Sequence, residues 1–439
     1  MMTRQYPSPF QIQGYYMPVV VISEPNQIKT ILQHRYCLNK GRLYKFAEPI
    51  LGMGITTVSD SVWLEHRKII APSFNLNILR KFFYTFVKHS FILANKLEKV
   101  GSNGNEIILH KHLTSNNMDT VCAMMGIELE TNIRNKLIEN IERFKDILRY
   151  RIHSSLVNLF MNFDIIFKFT TLGREQQKII KSVQSLVNKQ LQQLNKLHST
   201  ETEPNKINKT IYRSGKLMEI FRKNNVTKKL IRDNVNTLII AASDSISITL
   251  NFVFFMLANF PEIQDKVYKE LLEIYGTKTP MSAPVKYEDL QHMHYADRVI
   301  KETMRLFPAY PIISRRLSKD IKIGDYILPK NTDIAIALMQ MYRNEKYWSN
   351  PLKFDPDRFL PERIKDCHSY YYIPFSDGPR NCIGPKYAMI SMKVILATLI
   401  RTFAFKVDKS VEINKIKLRT DILLSTVEPL KVRIEKREL

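Results

Sequence analysis

Cys382 stands in the run Phe375-Ser-Asp-Gly-Pro-Arg-Asn-Cys-Ile-Gly384, between two glycines and two residues after Arg380. The run opens an apolar segment, Pro385 to Ile400. Pro385 suits the first turn of a helix, where its missing N–H is not needed. Gly378 and Gly384 permit positive φ and a close backbone approach to a flat partner. Amides at the start of that helix would point at the Cys382 sulfur and favour its thiolate. With no second cysteine or histidine nearby, such a thiolate suits one axial bond to a planar metal cofactor. A buried cysteine in a Gly-rich turn is the competing reading of the short Cys-x-Gly alone.

Other residues could serve the same chemistry. Glu302-Thr-Met-Arg305 places opposite charges three apart on one helix face, which by itself is an ordinary surface pair. Trp63-Leu-Glu-His-Arg67 pairs an aromatic ring with a guanidinium at helical spacing, and simple packing would explain it equally well. Ala241-Ala-Ser-Asp-Ser-Ile246 puts a carboxyl and a hydroxyl, Asp244 and Ser245, inside a run of small residues. Ala241, Ser245 and Thr249 then share one face, leaving room beside a flat group; close helix packing is the plainer account. His292-Met-His294 is read as a solvated pair and not as metal ligands.

The elements that must position these residues are mostly helical. Helical spacing is expected over Leu79 to Val100, Met118 to Ile127, Asn132 to Phe160 and Gly173 to Leu197. A long helix is expected from Val226 to Asn259, followed by Pro261 to Tyr275 and Tyr295 to Leu306. Strand patterns open the chain at Met17 to Pro25, recur in a hairpin at Asp320 to Pro329, and form a strand pair in the tail from Val411. His198 to Ser214 reads as a loop. The expected fold is mainly α with small β-sheets, in a single domain over 1–439: a β-rich part, 1–72, and a helix-rich part, 73–439, holding the site.

The 439 residues carry a formal net charge of +24 and only 13 glycines, few for an α/β nucleotide-binding chain. That charge attracts anionic lipids, acidic proteins or polyanions. No basic block interleaves with aromatics, so nucleic acid is excluded as the primary partner. The densest basic patch runs from Lys206 to Arg232. Cys37, Cys122, Cys367 and Cys382 are widely spaced, which opposes a disulfide framework or a zinc site. Asn208-Lys-Thr and Asn225-Val-Thr are read as chance sequons. No run near the start approaches the ~20 apolar residues of a membrane span.

The cysteine run resembles the heme-binding loop of the cytochrome P-450 superfamily, F-x-x-G-x-R-x-C-x-G, at all five fixed positions. The helix around Glu302 and Arg305 resembles the family's ExxR helix, and Phe354-Asp-Pro-Asp-Arg-Phe359 resembles the segment that adds Arg358 to a Glu–Arg–Arg cluster. The resemblance runs from about Val19 to the C-terminus. It is most similar to the family 4 branch, through Gly41-Arg-Leu-Tyr-Lys-Phe-Ala-Glu-Pro-Ile-Leu-Gly52, Leu172-Gly-Arg-Glu-Gln176 and Pro261 to Leu271.

The resemblance implies heme b, held between the long central helix and the cysteine loop, with Cys382 on the iron. Trp63, Arg67, Arg315 and Arg380 would meet the heme propionates, with Phe375 and Gly384 completing the loop. Glu302, Arg305 and Arg358 would be structural. Asp244 and Ser245 would be catalytic, in a helix whose usual glycine and threonine are Ala242 and Ser245. Where relatives carry a heme-esterifying glutamate stands Ala241, so no covalent heme link is expected. Where the family often writes His-Arg-Asp-Pro, this chain has Tyr342-Arg-Asn-Glu345. Ala242, Ile246, Ile312 and Leu424 are candidate substrate contacts for an apolar ligand.

The implied activity is monooxygenation of a fatty acid, hormone or xenobiotic, with electrons from NADPH through a cytochrome reductase and a cytochrome b-type protein as a second candidate donor. The implied place is the cytosolic face of the endoplasmic reticulum membrane. The N-terminal anchor and proline hinge of relatives are not found, so either a truncated sequence or peripheral membrane contact is expected. A peroxide-using heme-thiolate isomerase or dehydratase, and a non-catalytic heme-binding protein, stay open as alternatives.

Overall fold

Prolines, glycines and hydroxyl caps set the helix boundaries in the computed structural model, which describes residues 6–13, 18–157, 159–200, 216–224, 226–365, 369–420 and 422–438. The main helices are α1 (Pro25–Gln33), α2 (Asp60–Ile70), α3 (Phe83–Gly101), α4 (Leu109–Met124), α5 (Thr131–Val157) and α6 (Thr171–Thr200), followed by α7 (Lys228–Asn259), α8 (Pro261–Tyr275), α9 (His294–Leu306) and α10 (Pro385–Thr402). Pro25, Pro261 and Pro385 each sit in a first turn. Thr227 caps α7 by accepting from the Leu230 amide at 3.3 Å. Helix α7 is apolar on nearly every side, as a helix buried all round must be.

The strands are β1 (Phe10–Gln13), β2 (Pro18–Ile22), β3 (Ile313–Arg316), β4 (Ile321–Ile323), β5 (Tyr326–Leu328), β6 (Asp333–Ile336), β7 (Phe403–Lys406), β8 (Leu418–Thr420), β9 (Leu424–Thr426) and β10 (Arg433–Lys436). The largest sheet has the order β1-β2-β6-β3. Strand β2 runs parallel to β6, with Val19 opposite Asp333 and Ile22 opposite Ile336. Strand β3 is antiparallel to β6, which sets Arg315 beside Ile334.

Three apolar clusters fill the interior. One joins α3, α8, α9 and α10 to the C-terminal half of α7; a second joins α2, α4, α5 and α6 to its N-terminal half; a third lies under the large sheet with α1. Helix α7 feeds both large clusters and packs most extensively on α4. The fold is mainly helical with small sheets.

Several boundaries differ from the sequence reading. Helix α4 begins at Leu109, well before Met118, because Leu109 and Leu113 bury in one large cluster while Met118 and Val121, on another face, bury in the other. The tail is not one strand pair: β8 pairs with β9, but β10 pairs with β7 at the end of α10. In the first 72 residues β1 and β2 stand beside α1, α2 and a short helix at Glu48–Leu51, so the part is less β-rich than its Val-Val-Val run suggests. Helix α6 continues through Thr200. The remainder of the expected loop, Asn208, Asn225, Cys367 and the first part of the Lys206–Arg232 patch lie outside the described residues.

Candidate active site

The cysteine loop is a closed ring of backbone bonds. The Cys382 amide donates to the Phe375 carbonyl at 2.9 Å, and the Asn381 amide to the Gly378 carbonyl at 3.1 Å. Gly378 has φ +74°, and a Cβ there would lie 2.0 Å from the Leu32 carbonyl oxygen, so α1 presses directly on the loop. Gly384 does not take positive φ; its φ is −114°. A Cβ at Gly384 would meet nothing closer than Phe74 at 3.7 Å, so this glycine answers no demand of the protein's own packing. Arg67, on α2, donates to the Asn381 carbonyl and to Asn381 Oδ1, each at 2.8 Å, and clamps the loop from its other side.

The Gly384 amide donates to Cys382 Sγ at 3.3 Å. The expected thiolate does not follow from this alone. Burial pushes the thiol above its ordinary value, outweighing the Gly384 amide and the positive charges of Arg67 and Lys40. The side chain nevertheless keeps exposed surface deep inside the protein. It therefore faces an interior space, where a bound metal would hold it deprotonated.

Cations gather near that space: Arg67 and Lys40 act on the sulfur, and Arg315 and Arg380 act on Lys40. Arg380 is spent on the protein, donating to the Leu38 carbonyl at 2.8 Å, Val58 at 3.0 Å and Ile55 at 3.2 Å, while stacking on Trp63. Arg315 is 1% exposed, and its side chain donates to the neighbouring Ser314 carbonyl at 3.1 Å. Lys40 lies over the Tyr44 ring. Burial, and then Arg315 and Arg380, hold the Lys40 ammonium well below the usual lysine value. Among the described residues no carboxylate pairs with Arg315, Arg380 or Lys40. Buried charges are costly unless paired, so the cradle fits a ligand that brings its own carboxylates, as heme does.

Glu302 and Arg305 meet on α9. Arg305 Nη1 also donates to the Tyr342 carbonyl at 2.7 Å, and Nη2 to the Pro351 carbonyl at 2.8 Å. Glu302 accepts from the Asp355 amide at 3.0 Å. Arg358 Nε comes within 3.3 Å of Glu302 without hydrogen-bond alignment, and its Nη2 serves the Asn350 carbonyl. The Tyr342 side chain is buried in the third cluster, its hydroxyl accepting from the Ile373 amide.

On α7 the hydroxyls turn back into the helix: Ser245 Oγ donates to the Ala241 carbonyl at 2.8 Å and Thr249 Oγ1 to the Ser245 carbonyl at 2.9 Å. Asp244 points elsewhere, toward Lys145 of α5. A cavity of about 840 Å³ opens against this stretch, lined from α7 by Ala241, Asp244, Ile248 and Phe252. Ala241, Ser245 and Thr249 do share a face, as their i→i−4 hydroxyl bonds show, but of the three only Ala241 lines this cavity. Of the proposed substrate contacts only Leu424 lines the cavity. Ala242 packs between the two large clusters, Ile246 is buried in one of them, and Ile312 is 42% exposed.

Sequence reasoning passed over Lys40, Tyr44, Tyr310 and Lys145. Tyr44 and Tyr310 line the cavity, and burial is the first cause raising both phenols. Tyr310 sits close enough to sense Asp244 and Cys382 together, joining the cavity to the cysteine's space. The motif-bearing Arg315, five residues on, was the available signal for Tyr310; nothing in the local pattern marks Lys145.

The family model described as Cytochrome P450 matches residues 1–434. The chain is 32% identical over 437 residues to cytochrome P450 4c21 of Blattella germanica, covering 96% of this chain and 84% of that protein. It is 30% identical to cytochrome P450 4V2 of Mus musculus and 29% identical to cytochrome P450 4g1 of Drosophila melanogaster, in each case over 96% of this chain and 81% of the relative.

Proposed function

The chain belongs to the cytochrome P450 family of oxygen-incorporating heme oxidoreductases, and from that premise we propose that it oxidises an apolar organic substrate with electrons from NADPH delivered by a reductase. One observation carries the reading. The Cys382 thiol, ringed by backbone bonds, opens on an interior space within reach of Lys40, and neither Lys40 nor the Arg315 beside it has a carboxylate of its own among the described residues.

Heme b would be held there through Cys382 Sγ, the only protein ligand to its iron. Arg315 and Lys40 would meet its carboxylates, while Trp63, Arg67, Arg380 and Phe375 secure the loop and Gly384 leaves room for the ring. When bound, heme supplies dioxygen activation, which a cysteine thiolate favours by pushing electron density toward O–O cleavage. Glu302, Arg305 and Arg358 brace the frame. Ser245 Oγ can turn from the Ala241 carbonyl to hold a water, and Asp244 can pass protons from the cavity side. Ala241 supplies no carboxylate for an ester link, so heme would stay non-covalent apart from the iron bond.

The cavity walls, with Leu424, Ile248 and Phe252, suit an apolar substrate such as a fatty acid, hormone or xenobiotic. The +24 charge suits an acidic reductase, with a cytochrome b-type protein as a second donor. For location we propose the cytosolic face of the endoplasmic reticulum. Phe163, Ile165, Ile166 and Phe169 are exposed within seven residues, which supports lipid contact. Helix α7 is the one described helix apolar enough to span a membrane, but 72% of its apolar window is buried in the core.

Turnover with reductase and NADPH under isotopically labelled dioxygen, beside turnover with peroxide alone, tests the reading. One labelled oxygen per product supports it. Product from peroxide alone would point to an isomerase or dehydratase, and heme-loaded protein silent in both assays to a non-catalytic heme protein.

A further inference from the structure

Lys145 Nζ, on α5, lies 2.6 Å from Glu142 Oε1 and 3.3 Å from Asp244 Oδ2 on α7. The Asp244 side chain is 2% exposed, that of Lys145 24% and that of Glu142 47%. The trio therefore climbs from the core to the surface along the wall of the large cavity, which all three line. His110, at the start of α4, closes the cluster; its Nδ1 is buried and unpartnered, and burial, then Lys145, lower its pKa. Burial alone would lower the Lys145 ammonium too, but Asp244 and Glu142 outweigh it and hold it above the usual lysine value.

Two consequences follow from this geometry. An isolated carboxylate as buried as Asp244 is strongly disfavoured, and Lys145 is its sole ion-pair partner among the described residues. The pair also fixes direction: Asp244 Oδ2 is drawn across the cavity toward α5, while Ser245 turns its hydroxyl to Ala241. We propose that Lys145 is a positioning residue that aims Asp244 and links it to solvent through Glu142. It touches neither heme nor the reacting atoms; it acts through Asp244. The inference rests on the proposed proton-handling role of Asp244.

The test uses the heme-loaded protein and the variants Lys145→Gln, Lys145→Arg, Asp244→Asn and Lys145→Gln/Asp244→Asn. The first readout needs no turnover. Lysines are reductively methylated with a carbon-13 label, the Lys145 signal is identified by its loss in Lys145→Arg, and its pKa is followed by NMR. It should fall in Asp244→Asn; an unchanged value would show that the two groups are not coupled. The second readout is the ratio of peroxide released to product formed, with its solvent isotope effect. Lys145→Gln should raise that ratio about tenfold, within the coupling range of contacting charged residues, Lys145→Arg should restore it, and the double variant should be no worse than Asp244→Asn alone. If Asp244→Asn changes the ratio and Lys145→Gln does not, this inference fails while the role of Asp244 stands. If Asp244→Asn leaves the ratio unchanged, the proton-handling role itself falls.

Discussion

Arg305 grips Glu302 through two parallel bonds, Nε to Oε2 at 2.7 Å and Nη2 to Oε1 at 2.8 Å, with both side chains fully buried. The guanidinium also carries the carbonyls of Tyr342 and Pro351, so one pair ties α9 to two distant segments. Burial raises the Glu302 carboxyl, against the pull of Arg305.

Removing one partner of such a pair costs about 3–5 kcal/mol. Glu302→Ala should give little heme-loaded protein and a lowered unfolding midpoint. Normal heme content with lost activity would contradict the bracing role.

Cys382→Ala should abolish the thiolate-type carbon monoxide spectrum of the reduced protein. The fold should persist, because the ring of bonds around the cysteine uses backbone atoms and the sulfur accepts only the Gly384 amide. Survival of the parent spectrum would remove Cys382 from the iron.

The two loop glycines should separate. Gly378→Ala meets the Leu32 carbonyl and a left-handed φ that costs about 1–3 kcal/mol on its own, so soluble protein should fall sharply. Gly384→Ala should leave the stability of the heme-free protein near that of the parent and lower heme affinity. Equal stability losses at both positions would refute the distinction.

Lys40 gives a pH signature. Its folded value is depressed, so between that value and the ordinary lysine value the unfolded chain binds the extra proton. Stability of the heme-free protein should then rise with pH across that window. Lys40→Met should flatten the slope and weaken heme retention, as read by urea unfolding at several pH values and by heme titration. A slope that survives the substitution would assign it elsewhere.

Ser245→Ala should keep heme and substrate binding, since its hydroxyl serves only the preceding turn, while more reducing power escapes as peroxide. Ser245→Thr should couple at least as well as the parent. The stoichiometry of NADPH, peroxide and product decides; equal coupling in parent and Ser245→Ala would mean that protons travel by water alone.

Much of this architecture was legible in the chain itself. Pro261 and Tyr275 bound α8 as read, because a first-turn proline and a following glycine punctuate a helix locally. The ExxR pair was visible as spacing, though its burial came only from tertiary packing. The misses share one cause. Which strand β10 joins, which face of α7 meets the cavity, and that Lys145 reaches Asp244 depend on partners far along the chain. Local periodicity carries no information about them. Of the segment before β3, Tyr310 lines the cavity and Ile312 does not; the stretch lies outside any strand, so it carries no alternation from which a facing could be read.

The parallel pairing of β2 with β6 bears on biosynthesis. At Val19 opposite Asp333 the partners are separated by roughly three hundred residues, a loop whose closure makes folding slow. A ribosome adding about 5–20 residues per second leaves the Val-Val-Val edge of the nascent chain unpaired for the greater part of translation. The cysteine loop, which follows β6 and rests on α1 next to β2, requires a closure of the same long span. The site is therefore completed late in the synthesis of each molecule, after the long wait of an unpaired edge.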